Sequence, residues 1–145
     1  LTWSSEHKDT YRRKVCSLSK LSKLFKNLNY TFYGIQFGNE HNQLESYTHL
    51  SNVFDLGDKL GDFAHTAAII NQLDLIISID TYIVHLAGAM GIRTWVLLPF
   101  SPDWRWQLNR SDSPWYPSIK LFRQPKPGDW DSVVMDIKNT LETNL

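Results

Sequence analysis

Leu73, Leu75, Ile76, Ile77 and Ile79 make residues 73–79 an almost continuously apolar run, broken by Asp74. A strand this poor in polar positions must be covered on both faces, which is the condition of a parallel sheet with helices above and below it. Residues 94–98 form a second buried-strand run, ended by Pro99. Between and around these runs the signals alternate. Leu18, Leu21, Phe25 and Leu28 recur at helical spacing, so residues 14–27 are expected to form an amphipathic helix with Lys20, Lys23 and Lys26 outward. Residues 30–37 are aromatic and β-branched and stop before Gly38, a strand pattern. Residues 39–52 read as loop with at most a helical turn, and 53–56 as a short strand before Gly57. Asp62 is positioned to cap a helix over 63–70, and helix resumes over 82–90 until Gly91. Residues 119–122 make a last short strand, and Trp130, Val133, Val134, Ile137 and Leu141 share one face of a closing helix.

With residues 1–3 counted as a strand, six strands are joined mostly by helices, which predicts one α/β domain over 1–145 with a six-stranded, mostly parallel sheet. The Rossmann-like order 3-2-1-4-5-6 is favoured. Its ligand crevice lies at the carboxyl ends of strands 1 and 4, which selects the loop beginning Ser4-Ser5 and the loop Asp80-Thr81.

Composition narrows the classes of function. The 145 residues are 42% hydrophobic and 13% aromatic, enough to build a core. Fifteen basic residues balance fifteen acidic ones, so no global field draws the chain to nucleic acid or an anionic membrane. The charges are nonetheless segregated. Lys8, Arg12, Arg13, Lys14, Lys20, Lys23 and Lys26 face only Glu6 and Asp9, whereas residues 40–80 hold seven acidic side chains against Lys59. That pattern describes either two solvated faces or a basic rim beside an anion site. No run approaches the roughly 18 apolar residues of a membrane span. The single Cys16 cannot form an internal disulfide, which fits a reducing compartment and a cytoplasmic location. The abrupt strand-like start without Met is expected of a fragment.

The chain lacks G-x-G-x-x-G after its first strand, and also the phosphate loop ending in Gly-Lys-Ser/Thr, H-E-x-x-H and paired cysteines. A classical dehydrogenase, a nucleoside triphosphatase and a catalytic metal site are disfavoured on that ground, and no cofactor is expected. The informative segment runs from Ser78 through Asp80, Thr81, Tyr82 and His85 to Ala89, leaving a buried strand and entering a helix. The first free amides of such a helix offer a site to an anion. Thr81 and His85 share a helical face, and Asp80 either caps the helix or accepts from a ribose hydroxyl. The alternative is purely structural: a cap, a helix start and a packed histidine.

Asp80-Thr81 followed by His85-Leu86-Ala87 resembles the Asp-Ser/Thr-Gly-x-x-His motif of bacterial heptosyltransferase-like enzymes, glycosyltransferase family 9. The wider pattern is similar to the C-terminal glycosyltransferase-like domain of tetratricopeptide-repeat proteins. It is carried by Asp55-Leu56-Gly57-Asp58, Asp62-Phe63-Ala64-His65-Thr66-Ala67-Ala68, Leu73 through Thr81, Trp95-Val96-Leu97-Leu98-Pro99, Asp103-Trp104-Arg105-Trp106, Ser113-Pro114-Trp115-Tyr116-Pro117 and Leu121-Phe122-Arg123-Gln124. This resemblance implies a three-layer domain, the C-terminal, donor-binding half of a GT-B glycosyltransferase, acting on a nucleotide diphosphate-sugar and an unknown acceptor. It implies donor contacts from Ser4, Ser5, Asp80, Thr81, Tyr82 and His85, and phosphate or cleft contacts from Arg12, Arg13, Lys14 or Arg105. The catalytic base is implied to lie on a missing N-terminal domain, so the fragment alone is expected to be nearly inactive. Tyr82 stands where the motif has Gly, so it either narrows the pocket or stacks on the ligand. His65, where relatives have an acidic residue, reads as surface variation. The competing reading is a catalytically silent binding or scaffold module attached to the repeats.

Three further expectations concern single residues. In the loop 101–117, Trp104, Trp106, Trp115 and Tyr116 either line the cleft or lock the loop, with the structural role favoured for Trp106 and Trp115 and with Asp103 or Asp112 pairing Arg105 and Arg110. Cys16 reads as a buried apolar residue, and His7, His41 and His49 as surface residues. The loop from Gly57 to Gly61 is placed to reach a nucleotide base.

Overall fold

The computed structural model describes residues 1–5, 14–27 and 29–143. It is an α/β fold with parallel strands. The strands are β1 (Phe32–Gly34), β2 (Val53–Asp55), β3 (Ile76–Ile79), β4 (Thr94–Leu98) and β5 (Ile119–Arg123). The helices are α1 (Leu18–Leu21), α2 (Phe63–Ile70), α3 (Tyr82–Ala89) and α4 (Trp130–Thr143).

The expected six-stranded sheet does not form. β1 pairs with β2 in a two-stranded parallel sheet, and β3, β4 and β5 make a three-stranded parallel sheet in that order. Residues 1–3 run between the two without becoming a strand. The Leu1 nitrogen donates to Tyr33 O and Ile35 N donates to Leu1 O, while Thr2 N donates to Ile77 O and Ile79 N donates to Thr2 O. The ladder stops there on both sides because Trp3 N, which faces β1, and Ser4 N, which faces β3, both donate to the Gln36 carboxamide at 3.0 Å. Thr2 therefore makes an isolated parallel bridge to Ser78. The hydrogen-bonded row nevertheless reads β2, β1, residues 1–3, β3, β4, β5.

Alternation along the strands divides the core. Ile77, Ile79, Trp95, Leu97 and Phe122 turn to one face, where they meet Leu18 and Leu21 of α1 and Trp130, Val133, Val134, Ile137 and Leu141 of α4. Ile76 turns to the other face with Ile70 of α2 and Ile83 and Ala87 of α3, and Val96, Leu98, Ile119 and Leu121 pack there with Val84 and Trp106. Successive strand side chains point to opposite faces, so the near-absence of polar residues in β3 and β4 follows from helices covering both.

Several elements are shorter than their patterns. The segment 14–27 yields only α1 and a 3-10 turn over Ser22–Lys26, and residues 39–52 contain a 3-10 segment over Asn39–Tyr47 rather than a single turn. α2 begins as expected, with Asp62 Oδ1 accepting from His65 N at 2.8 Å. α3 ends before Gly91, which takes φ +71°, a left-handed stop suited to glycine. Gly88 allows the Tyr116 ring to seat on α3, since a Cβ there would lie 2.6 Å from a ring carbon. Cys16 is fully buried and burial pushes its thiol up to about 12, so it packs as an apolar group. The basic excess is partly spent on packing: Lys23 pairs with Asp131 at 2.7 Å, Lys20 joins it, and together they hold that carboxyl down to about 2. Among the described residues no helix is long and apolar enough to cross a membrane.

His41 departs from the surface role expected of it. Its Nδ1 lies 2.8 Å from Asp55 and its Nε2 3.3 Å from Asp58, tying the 3-10 segment to the loop after β2. The Asp55 hydrogen bond is the main cause that raises its pKa, with burial opposing and Asp58 and Glu45 assisting. Protonated His41 thus favours the folded state, a contribution full below the unfolded pKa and lost as pH rises through the raised one. The denaturation midpoint of His41→Gln is expected to fall less than that of the parent between about pH 6 and about pH 8. Equal falls, measured by urea unfolding at both pH values, would show that His41 carries no such linkage.

Candidate functional site

A cleft of about 500 Å³ opens where residues 1–5, β1 and β3 reach their carboxyl ends. Ser4, Ser5, Lys14, Asp80, Thr81, Tyr82, His85 and Arg105 all line it. Arg12 and Arg13 lie outside the described residues, as does His7. Thr2, Ile35, Gln36, Phe37 and Ile83 complete the wall.

Asp80 sits at the end of β3 and is 5% exposed. Its carboxylate does not cap α3. It accepts instead from Lys14 Nζ at 2.7 Å, a side chain separated from it by 66 positions. The N-cap of α3 is Thr81, in extended geometry and with no side-chain capping bond. In the first turn of α3, at the mouth of the cleft, Val84 N donates to Thr81 O. The positive end of the helix and the Lys14 ammonium both face the same space.

His85 is one turn further along α3. Its ring stacks on buried Trp106 with centroids 5.5 Å apart and planes 20° apart, and Nδ1 lies 3.2 Å from the Tyr116 hydroxyl. Burial pushes its pKa down, partly opposed by Asp80, whose Oδ1 is 3.8 Å from Nε2, and assisted by Arg105. Burial thus favours the uncharged imidazole, and Lys14 is the cation that pairs with Asp80. Nε2 is the nitrogen turned toward Asp80.

Arg105 reaches the cleft from the loop after β4. Its Nε donates to Asp103 at 2.9 Å, and its carbonyl accepts from Trp115 Nε1 at 3.0 Å. Arg110 pairs with Asp112 at 2.7 Å. Both arginine–aspartate pairings match the sequence expectation, and of the loop's aromatic residues none lines the cleft. Trp106 is fully buried, Tyr116 supports His85, and Trp104 and Trp115 meet edge to face on the outside. The loop is anchored from beneath by Arg123 of β5, whose guanidinium donates to the carbonyls of Trp106 and Arg110. The adjacent Gln124 accepts from Phe100 N and Gly128 N, each at 3.1 Å.

Sequence reasoning overlooked Gln36. This side chain, 3% exposed, accepts from Trp3 N and Ser4 N at 3.0 Å and donates to Ser4 O and Phe37 O at 3.1 Å, holding the Ser4-Ser5 loop open beside Asp80. The available signal was one amide inside an otherwise apolar strand pattern immediately before Gly38. His65 is exposed and bonds only Asp62, as a surface residue would. The loop from Gly57 to Gly61, expected to reach a nucleotide base, does not line this cleft. Among the described residues no three His, Cys, Asp or Glu side chains gather as a metal site would require.

No protein-family model matches this chain, and neither a curated protein nor a solved structure matches it.

The buried carboxylate makes the ion pair consequential. Removing one partner of a buried pair strands the other, whereas replacing both removes the desolvation cost as well. Lys14→Met is expected to destabilise the fold by about 3 kcal/mol, and Lys14→Met with Asp80→Asn to recover most of that loss. A double variant no more stable than the single one, measured by urea unfolding, would show that the two side chains do not act as a pair.

Proposed function

We propose that the chain is the donor-binding domain of a GT-B glycosyltransferase, holding a nucleotide diphosphate-sugar in this cleft for transfer to an acceptor. One observation carries the reading: residues from separate loops, Ser4 and Ser5, Lys14, Asp80 and Thr81, and Arg105, face one cleft at the carboxyl ends of parallel strands, beside the amino end of α3. Such a crevice is where open α/β sheets bind ligands. The motif Asp80-Thr81 with His85 resembles the heptosyltransferase pattern, and its members stand on that same wall.

In this reading the amino end of α3, Lys14 and Arg105 take up negative charge on the diphosphate. That charge grows as the sugar leaves, so groups fixed in advance stabilise the transition state more than the bound donor. Ser4 and Ser5 face the donor from the opposite loop. His85 offers Nε2 to a ribose or sugar hydroxyl. The acceptor and the catalytic base belong to a partner domain across the cleft, and the domain acts in the cytoplasm, where nucleotide-sugars are made.

Calorimetric titration with uridine, guanosine, adenosine and cytidine diphosphates and their sugars tests the donor site. Saturable nucleotide binding is expected, weakened about tenfold or more by Arg105→Ala and by Asp80→Ala with the fold retained by circular dichroism. Binding that neither substitution alters would remove the cleft from consideration.

A further inference from the structure

The cleft is chemically two-sided. α3 sends Tyr82 and His85 in different directions. Tyr82 turns toward the β2 side, where its ring meets Phe63 at the start of α2, centroids 5.3 Å apart and planes at 84°. His85 turns toward the β4 side, where Trp106 and Tyr116 occupy its ring. Phe37 follows β1 and so belongs to the Tyr82 side, whereas Arg105 follows β4 and belongs to the His85 side. The Asp80–Lys14 pair lies at the end of β3, between them.

The aromatic rings also differ in what is left of their surfaces. His85 is stacked on buried Trp106, so that face is already used. Tyr82 remains 37% exposed and Phe37 46% exposed, and both line the cleft. A flat ring entering on this side can stack on these exposed surfaces, while an anion joined to that ring falls toward the cationic side.

Resting on the donor-site reading above, we propose that Tyr82 and Phe37 are the platform for the nucleobase, with the diphosphate lying toward Lys14 and Arg105. Every base has a π-face, so a platform of this kind grips nucleotides with little preference among bases. Tyr82 is then a binding residue in its own right, standing where the resembling motif has only a glycine backbone.

Titration of the parent chain and of Tyr82→Ala, Tyr82→Phe and Phe37→Ala with uridine diphosphate, adenosine diphosphate and inorganic pyrophosphate decides the matter. Loss of one stacking ring is expected to weaken both nucleotides roughly 10- to 100-fold. Pyrophosphate binding should stay within about twofold, because it has no ring to stack. Tyr82→Phe should restore nucleotide affinity. Unchanged nucleotide binding in both alanine variants would overturn the platform while leaving the donor site standing, and so would equal loss of nucleotide and pyrophosphate in variants that keep the parent's circular dichroism. A parent chain that binds none of the three probes would overturn the donor-site reading and the platform together.

Discussion

The backbone of residues 1–3 lies between β1 and β3 and gives hydrogen bonds to both sides. Most of the architecture depends on that insertion. It joins a two-stranded and a three-stranded sheet into one hydrogen-bonded row, and it delivers Ser4 and Ser5 to the carboxyl end of β3. The segment leaves the ladder after Thr2, where the Trp3 and Ser4 nitrogens turn to the Gln36 side chain, and a gap opens at the strand ends. The cleft occupies that gap. Its position follows from hydrogen-bond termination, and its lining follows from whichever loops cross it.

Its electrostatics are set by what is buried. Asp80 is nearly inaccessible and is balanced by Lys14, while burial lowers the pKa of His85 beside it. Arg105 is more exposed and bound to Asp103, on a loop whose main chain is gripped by Arg123 and Gln124. Asp80, His85 and Arg105 are thus held by protein on their far sides. Fixed dipoles and charges of this kind need little reorganisation when a ligand arrives.

The sequence made the alternation of elements readable because the two-sided burial of β3 and β4 and the stripe on α4 leave strong hydrophobic patterns. α2, β4 and the start of α3 fell where periodicity and capping put them. The weaker results came where tertiary contacts decide. Residues 1–3 look like a strand but lose their ladder to Gln36, and the helical spacing across 14–27 is interrupted by a 3-10 turn. Asp80 reads locally as a cap, yet its partner comes from Lys14, far away in sequence. His41 sits in a polar stretch and looks solvated, and only the fold brings Asp55 and Asp58 to it. Motif residues on one short segment were legible; the pairings that tune them were not.

Gln36 carries a consequence of a different kind. Its carboxamide presents one acceptor and one donor group to the main chain of Trp3 and Ser4, the same offer a peptide unit of an adjacent strand would make. The side chain therefore acts as a surrogate strand edge. The main chain of the neighbouring strand is released to turn away toward Phe37 without leaving buried amides orphaned. A carboxylate there could not donate, and an amide one methylene shorter would not span the same distance. The opening in the sheet is thus a property of one side chain's length and chemistry as much as of the loops around it.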